Sequence, residues 1–126
     1  MTAPSATDFD DWLVQTFRRV GAFTMLIVLV EIGETSVALL RSSYLHVIGD
    51  ETRWPDMVRL FASSGAAWSG AAFFQADRAG LISDAVAKGR LASLVRHLEK
   101  DRSILNDGEF FSANGLRLKI EEIHAH

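Results

Sequence analysis

The sequence predicts an α+β fold, in which an antiparallel or mixed sheet carries about three packed helices and ends in a C-terminal β-hairpin. Three observations predict it. An amphipathic helix with complementary end charges opens the chain, an apolar strand follows it, and the pair Asn114-Gly115 stands between alternating residues near the end. Helices and hairpins in separate parts of the chain favour this class, because parallel sheets need a regular strand–helix alternation.

The first helix is indicated by apolar residues that recur at helical spacing and form one stripe. They are Phe9, Trp12, Leu13, Phe17 and Val20. Thr7 can cap the N-terminus, and acidic residues fill the first turn. Arg18 and Arg19 lie in the last turn, where positive charge complements the helix dipole.

Residues 23–32 are apolar at both odd-numbered and even-numbered positions and are rich in β-branched side chains. This pattern predicts a strand covered on both faces. Gly33-Glu34 then predicts a two-residue turn, followed by a second strand from Thr35 to about Leu40. The apolar spacing over residues 35–48 also fits a helix. The hairpin is favoured over that helix, with a further short strand segment from Tyr44 to Ile48.

The middle of the chain predicts two more helices and one strand. A helix over Thr52–Ser64 has Pro55 near its start, where the missing N–H costs nothing. A strand over Gly70–Ala76 follows, then a turn at residues 77–80. Ser83 caps the helix predicted over Asp84–Lys100.

Asn114-Gly115 is a strong hairpin signal, because both residue types accept a positive φ. In a two-residue hairpin, Phe111 faces Leu118 and Ala113 faces Leu116. Ile104-Leu105 is a candidate for one additional short strand.

Length and composition indicate a single domain over residues 1–126, with residues 1–6 and 124–126 expected to fray. The chain has no cysteine, which favours a reducing cytoplasmic setting and excludes thiolate chemistry. The net charge of −3 argues against nucleic-acid binding, which depends on basic patches. We find no phosphate loop and no Gly-x-Ser-x-Gly motif, and we expect no cofactor.

One segment, Val20 to Leu40, is long enough to raise the question of a membrane span. Its eleven Leu, Ile, Val and Phe residues favour insertion by about 3–7 kcal/mol. Glu31 and Glu34 cancel that gain, at about 2.5–3.5 kcal/mol for each acidic residue. We therefore predict a core segment and no membrane association.

His46, Asp50 and Glu51 form the densest titratable set near the end of a predicted element. Imidazole and carboxylate groups perform acid–base chemistry if they converge, which would suit a small hydrolase-like or isomerase-like enzyme. The simpler interpretation is a loop whose acids precede a helix, and we favour it. A second group, Glu121, Glu122, His124 and His126, lies on the C-terminal tail, where we predict no metal site.

Aromatic residues provide the main functional hypothesis. Adjacent aromatics on a strand point to opposite faces, so the pairs Phe73-Phe74 and Phe110-Phe111 predict either an outward aromatic face or a sheet covered on both faces. An outward face would mark a partner surface. Its expected residues are Phe73, Phe74, Phe110, Trp54 and Trp68.

The favoured function is therefore a small non-enzymatic accessory or protein-interaction domain, with homodimerisation through the aromatic sheet face as one form of it. The acid–base enzyme centred on His46 is the alternative. A module that binds a small apolar ligand between the sheet and the helices is a further alternative.

Overall fold

The computed structural model describes residues 7–78 and 80–119, which form a four-stranded antiparallel sheet with helices on both faces. The strand order is β2-β1-β3-β4. The strands are β1 (Phe23–Ile32), β2 (Val37–Val47), β3 (Gly70–Gln75) and β4 (Glu109–Ser112). The helices are α1 (Asp8–Val20), α2 (Trp54–Ala62) and α3 (Asp84–Lys100), with a short 3₁₀ helix at Arg102–Asp107. No helix in the described ranges is long and apolar enough to cross a membrane.

Strand β1 is the centre of the fold, and all of residues 23–30 are buried. We call the side covered by α1 and α2 the first face and the side covered by α3 and the 3₁₀ helix the second face. The first-face core includes Phe23, Met25, Ile27 and Leu29 of β1 together with Phe9, Leu13, Trp54 and Phe61. The second-face core includes Val28 and Val30 of β1 together with Leu98, Leu105 and Phe110. The prediction of a strand covered on both faces is confirmed.

Asp10 fixes the two first-face helices to each other. Its carboxylate accepts from the backbone N–H of Thr7, while the Thr7 hydroxyl accepts from the N–H of Asp10, which completes a capping box. The same carboxylate accepts from the N–H of Trp54 at 2.7 Å, where α2 begins. The buried Asp10 thus accepts a hydrogen bond from one backbone N–H at the start of α1 and from another at the start of α2, groups that have no partner within their own helix.

The connection between β1 and β2 differs from the predicted two-residue turn. Ile32 pairs with Val37, so the loop has four residues, and Gly33 does not take a positive φ. Strand β2 then runs without a break to Val47, which excludes the alternative helix over 35–48. A bulge places Leu40 as one extra residue, since Leu29 pairs with Arg41 but Val30 pairs with Leu39.

The C-terminal turn also departs from the prediction. Ser112 donates to the carbonyl of Leu116 and accepts from Gly115, which leaves a three-residue loop in which only Gly115 has a positive φ of 76°. Phe111 therefore faces Arg117 rather than Leu118, and this bridge is isolated, so the expected C-terminal hairpin is not confirmed. The predicted strand at Ile104-Leu105 is wrong, because these residues belong to the 3₁₀ helix. The histidine-containing tail lies outside the described residues.

Two glycines with positive φ provide a matched stability test. A Cβ on Gly115 would lie 2.7 Å from the Trp54 ring, whereas one on Gly65, at φ 71°, would meet nothing within 4 Å. We expect Gly65→Ala to lower the free energy of unfolding by about 1 kcal/mol through backbone strain alone. Gly115→Ala should lower it by about 2–4 kcal/mol, because overpacking adds to the strain. Urea unfolding measures both, and equal losses would contradict the packing of Trp54 beneath this turn.

Candidate functional site

The predicted aromatic surface is not an exposed face in the structure. Phe73, Phe110 and Trp54 are buried, while Phe74 and Trp68 are partly buried and pack against the two core clusters. The structure instead has the alternative arrangement, a sheet covered on both faces. The physical reason is that α3 and the 3₁₀ helix cover the second face, which a sheet with helices on one side would leave open.

The predicted acid–base set is not joined by hydrogen bonds among the described residues. His46 bonds through Nδ1 to the Thr24 hydroxyl at 2.8 Å and through Nε2 to Asp84 at 2.7 Å. The backbone carbonyl of Asp50 accepts from Arg53. Glu51 extends its carboxylate beside Gly49. His46 thus has two partners, and neither is a residue that its sequence neighbourhood suggested.

The direction of these hydrogen bonds follows from Asp84. Its carboxylate can only accept, so Nε2 of His46 carries a hydrogen and donates to it. In the neutral imidazole Nδ1 then accepts from the Thr24 hydroxyl, whose oxygen also accepts from the backbone N–H of Ile82 at 3.1 Å. Thr24 is fully buried, so its hydroxyl is closed to a substrate. The network joins β1, β2 and the start of α3, and it runs from the buried Thr24 to the exposed Asp84.

Sequence reasoning missed this network because its members are distant along the chain: Thr24 lies 22 residues from His46 and Asp84 lies 38 residues from it. One signal was present. Thr24 is the single polar residue in the buried stretch 23–30, and a buried hydroxyl requires a partner.

Asp84 and Tyr44 extend the network on the second face, next to the edge of the sheet. The hydrogen bond from His46 lowers the pKa of the Asp84 carboxyl below its ordinary value. Partial burial raises the pKa of the Tyr44 hydroxyl, and the nearby Asp84 carboxylate raises it further. At neutral pH, Asp84 therefore carries a negative charge and the Tyr44 hydroxyl stays neutral, and both groups lie beside β2.

The outer side of β2 presents unpaired backbone groups, and the hydrogen bonds of β1 show which ones. Thr24 donates to Gly80 and accepts from Ala76, so the even-numbered residues of β1 bond toward β3. The odd-numbered residues must bond toward β2, where their partners are Arg41, Ser43, Leu45 and Val47. Consequently Ser42, Tyr44 and His46 direct their N–H and C=O groups away from the sheet. No other described strand pairs with this side of β2.

The two halves of this edge differ. In the first half, the Leu40 bulge disrupts the regular pairing of β2 with β1, and the carbonyls of Val37 and Leu40 accept from the side chains of Arg102 and Arg41. Bulges and charged side chains are devices that protect exposed edges from pairing. The second half, from Ser42 to His46, contains neither a bulge nor a proline. We call this second half the open edge.

Two clefts flank the start of the open edge, one on each face of the sheet. The first-face cleft, of about 230 Å³, is lined by Ile27, Leu29, Phe61 and the exposed Leu60 beside Ser43. The second-face cleft, of about 370 Å³, is lined by Val28, Val95 and Glu99 and extends from Ser42 along residues 39–41 into the bulged half of β2. On each face, the cleft lies where a short serine of β2 stands next to an apolar residue of β1.

Comparison with known protein families, with curated proteins and with solved structures finds no match.

The single tyrosine of the chain gives a direct test of the charged network. We expect the pKa of Tyr44 to lie above its ordinary value of 10.0 and to fall in Asp84→Asn, because the carboxylate that opposes ionisation is removed while partial burial remains. The tyrosinate absorbance in a pH titration measures it. Asp56→Asn, which changes a distant acid paired with Arg59, should leave the titration unchanged. An unaltered midpoint in Asp84→Asn would contradict the contact.

Proposed function

We propose that this chain is a protein-interaction domain that binds a segment of extended polypeptide along the open edge of β2. The observation that carries the proposal is the outward backbone of Ser42, Tyr44 and His46 in a regular strand. An added strand would receive main-chain hydrogen bonds from these residues, which is a common mode of peptide recognition.

The clefts supply the side-chain part of this recognition. Successive side chains of a strand point to opposite faces, so an added strand would direct alternate side chains toward the first-face and second-face clefts. β1 contributes apolar residues to the lining of both clefts, Ile27 and Leu29 on the first face and Val28 on the second. We therefore expect the bound segment to carry apolar residues at alternate positions.

This proposal keeps the interaction function predicted from the sequence and moves it from the aromatic face to the sheet edge. It also accounts for His46 without catalysis. The imidazole makes hydrogen bonds with both ring nitrogens and holds the open edge against α3 through Asp84.

A small apolar ligand is a second candidate, favoured by the first-face cleft between the sheet and α2. Its 230 Å³ is slightly below the range of about 300–1,000 Å³ typical of ligand sites, so the ligand would be small. The two candidates respond differently to a change in the backbone of Ser42. Ser42 also lines this cleft, but peptide pairing needs its outward N–H as a hydrogen-bond donor, whereas an apolar ligand accepts no hydrogen bond from it.

Proline substitutions at adjacent serines test the proposal. Ser42→Pro removes an outward N–H and should cost only about 1 kcal/mol of stability, because edge strands tolerate proline where the N–H faces solvent. Ser43→Pro removes a bond to β1 and should lower stability by about 1–3 kcal/mol more. We would select peptides from a random display library on the wild-type protein, and expect alternating apolar sequences whose binding Ser42→Pro abolishes.

Binding is measured by titration calorimetry, and the site by amide chemical shifts. The Asp56→Asn variant, which changes an acid paired with Arg59 that lines neither cleft, is the control and should bind the peptides as wild type does. Selected peptides that bind Ser42→Pro with wild-type affinity, or that shift no amide of β2, would refute the proposal.

A further inference from the structure

We infer that the segment received by the open edge is the β2 strand of a second copy of this chain, paired antiparallel about a two-fold axis at Tyr44. This inference rests on the proposed function and names its partner. Four features support it. They are the set of β2 residues whose backbone groups point outward, the sizes of the opposed side chains, the direction of α3, and the charges at the start of α3.

In this register, the residues that oppose one another are those whose backbone N–H and C=O groups point outward. A two-fold axis through Tyr44 places Tyr44 opposite its own copy and Ser42 opposite His46 of the second copy. All of these residues direct their backbone groups outward. Each opposed pair can therefore exchange two N–H···O=C bonds, as in any antiparallel ladder. The pairing uses only the regular segment Arg41–Val47 and does not include the Leu40 bulge.

The side chains in this register are complementary in size. Ser43 lies opposite Leu45 of the second copy on the first face, and Ser42 lies opposite His46 of the second copy on the second face. Each larger side chain thus lies opposite a short serine and keeps its contacts within its own chain, so the two strands can approach without a clash of bulky groups. Arg41 lies opposite a valine, so no like charges oppose one another, and the two Tyr44 rings are neighbours on one face.

The direction of α3 determines where the axis can lie. The helix begins where Asp84 contacts His46 and ends near Arg102, whose Nε donates to the carbonyl of Val37 at 2.7 Å. It therefore runs along β2 from the open edge toward the protected half. Because α3 begins at His46, beyond the axis, each copy first passes the level of Tyr44. With the axis at Tyr44, the two copies of α3 therefore lie side by side near their starts and then extend in opposite directions.

An axis nearer Val37 would place the two helices side by side over more of their length, and packed helices need about 8–10 Å between their axes. The charges at the approaching turns agree with the Tyr44 axis. Lys88 lies near Asp84 on the same side of α3, so a two-fold axis can bring Asp84 of one copy toward Lys88 of the other. Tyr44 is thus the position at which the hydrogen bonds, side-chain sizes, helices and charges are all compatible.

Because the chain lacks cysteine, three single-cysteine variants can locate the axis: Ser42→Cys, Ser43→Cys and Tyr44→Cys. With the axis at Tyr44, the Cα atoms of the two residues at this position lie about 5.5 Å apart, within the disulfide range of about 4.4–6.8 Å. Pairs at 43 are about 7–8 Å apart and pairs at 42 about 13 Å apart. We expect only Tyr44→Cys to form a disulfide dimer under mild oxidation.

The mass of the unmodified protein in sedimentation gives an independent measurement, which does not depend on the folding of any variant. We expect twice the chain mass of 13.9 kDa and a dissociation constant at least about tenfold weaker in Ser42→Pro, which loses one donor in each copy. A wild-type protein that remains a single chain at all concentrations overturns the inference. So does a disulfide dimer formed by Ser42→Cys or Ser43→Cys in place of Tyr44→Cys.

The peptide selection separates this failure from failure of the proposed function. A monomeric wild type that still binds selected peptides through Ser42 would disprove self-pairing and leave the edge as a site for another protein. A monomeric wild type with no such peptides would disprove both.

Discussion

Strand β1 is the constraint on which the rest of the structure depends. Eight consecutive residues, 23–30, are buried, so both faces of the sheet must be covered from a chain of 126 residues. At roughly 25 cal/mol per Å² of apolar surface, leaving either face of this strand exposed would be costly. The helices divide accordingly, with α1 and α2 on the first face and α3 with the 3₁₀ helix on the second.

This division explains both the buried aromatics and the open edge. Phe73 and Phe111 belong to the first-face core, while Phe110 belongs to the second-face core and Phe74 packs against it. None of the four therefore contributes to an outward aromatic patch. The coverage weakens toward β2, where Ser42 and Ser43 replace large apolar side chains and clefts reach β1. The same strand also holds His46 in its network with Thr24 and Asp84, which stabilises the end of the edge against α3.

Local signals predicted much of the fold because their physics is local. The Thr7 cap, the Ser83 cap and the two-sided apolar pattern of β1 all depend on neighbouring residues, and the helix predicted at Asp84–Lys100 has the observed bounds. The turn geometry could not be predicted in the same way, since Asn-Gly permits several turn types. In the structure, Gly115 packs against Trp54 in a three-residue loop.

The candidate site could not be predicted from the sequence because it depends on tertiary placement. Sequence reasoning identified His46, but its partners come from β1 and α3, far along the chain. The open edge depends on strand order, which periodicity does not encode. The serines at 42 and 43 matter because β2 is an edge strand, and the residues around them in the sequence do not show this.

Residue-resolved amide hydrogen exchange, measured over a range of protein concentrations, tests the role of the open edge most directly. The N–H groups of Arg41, Ser43 and Leu45 bond to β1 and should be protected at every concentration. Those of Ser42, Tyr44 and His46 should exchange rapidly in dilute protein and become protected as the concentration rises. Protection of these three amides in the dilute monomer, or rapid exchange at all concentrations, would contradict an edge that is free in one chain and paired between two.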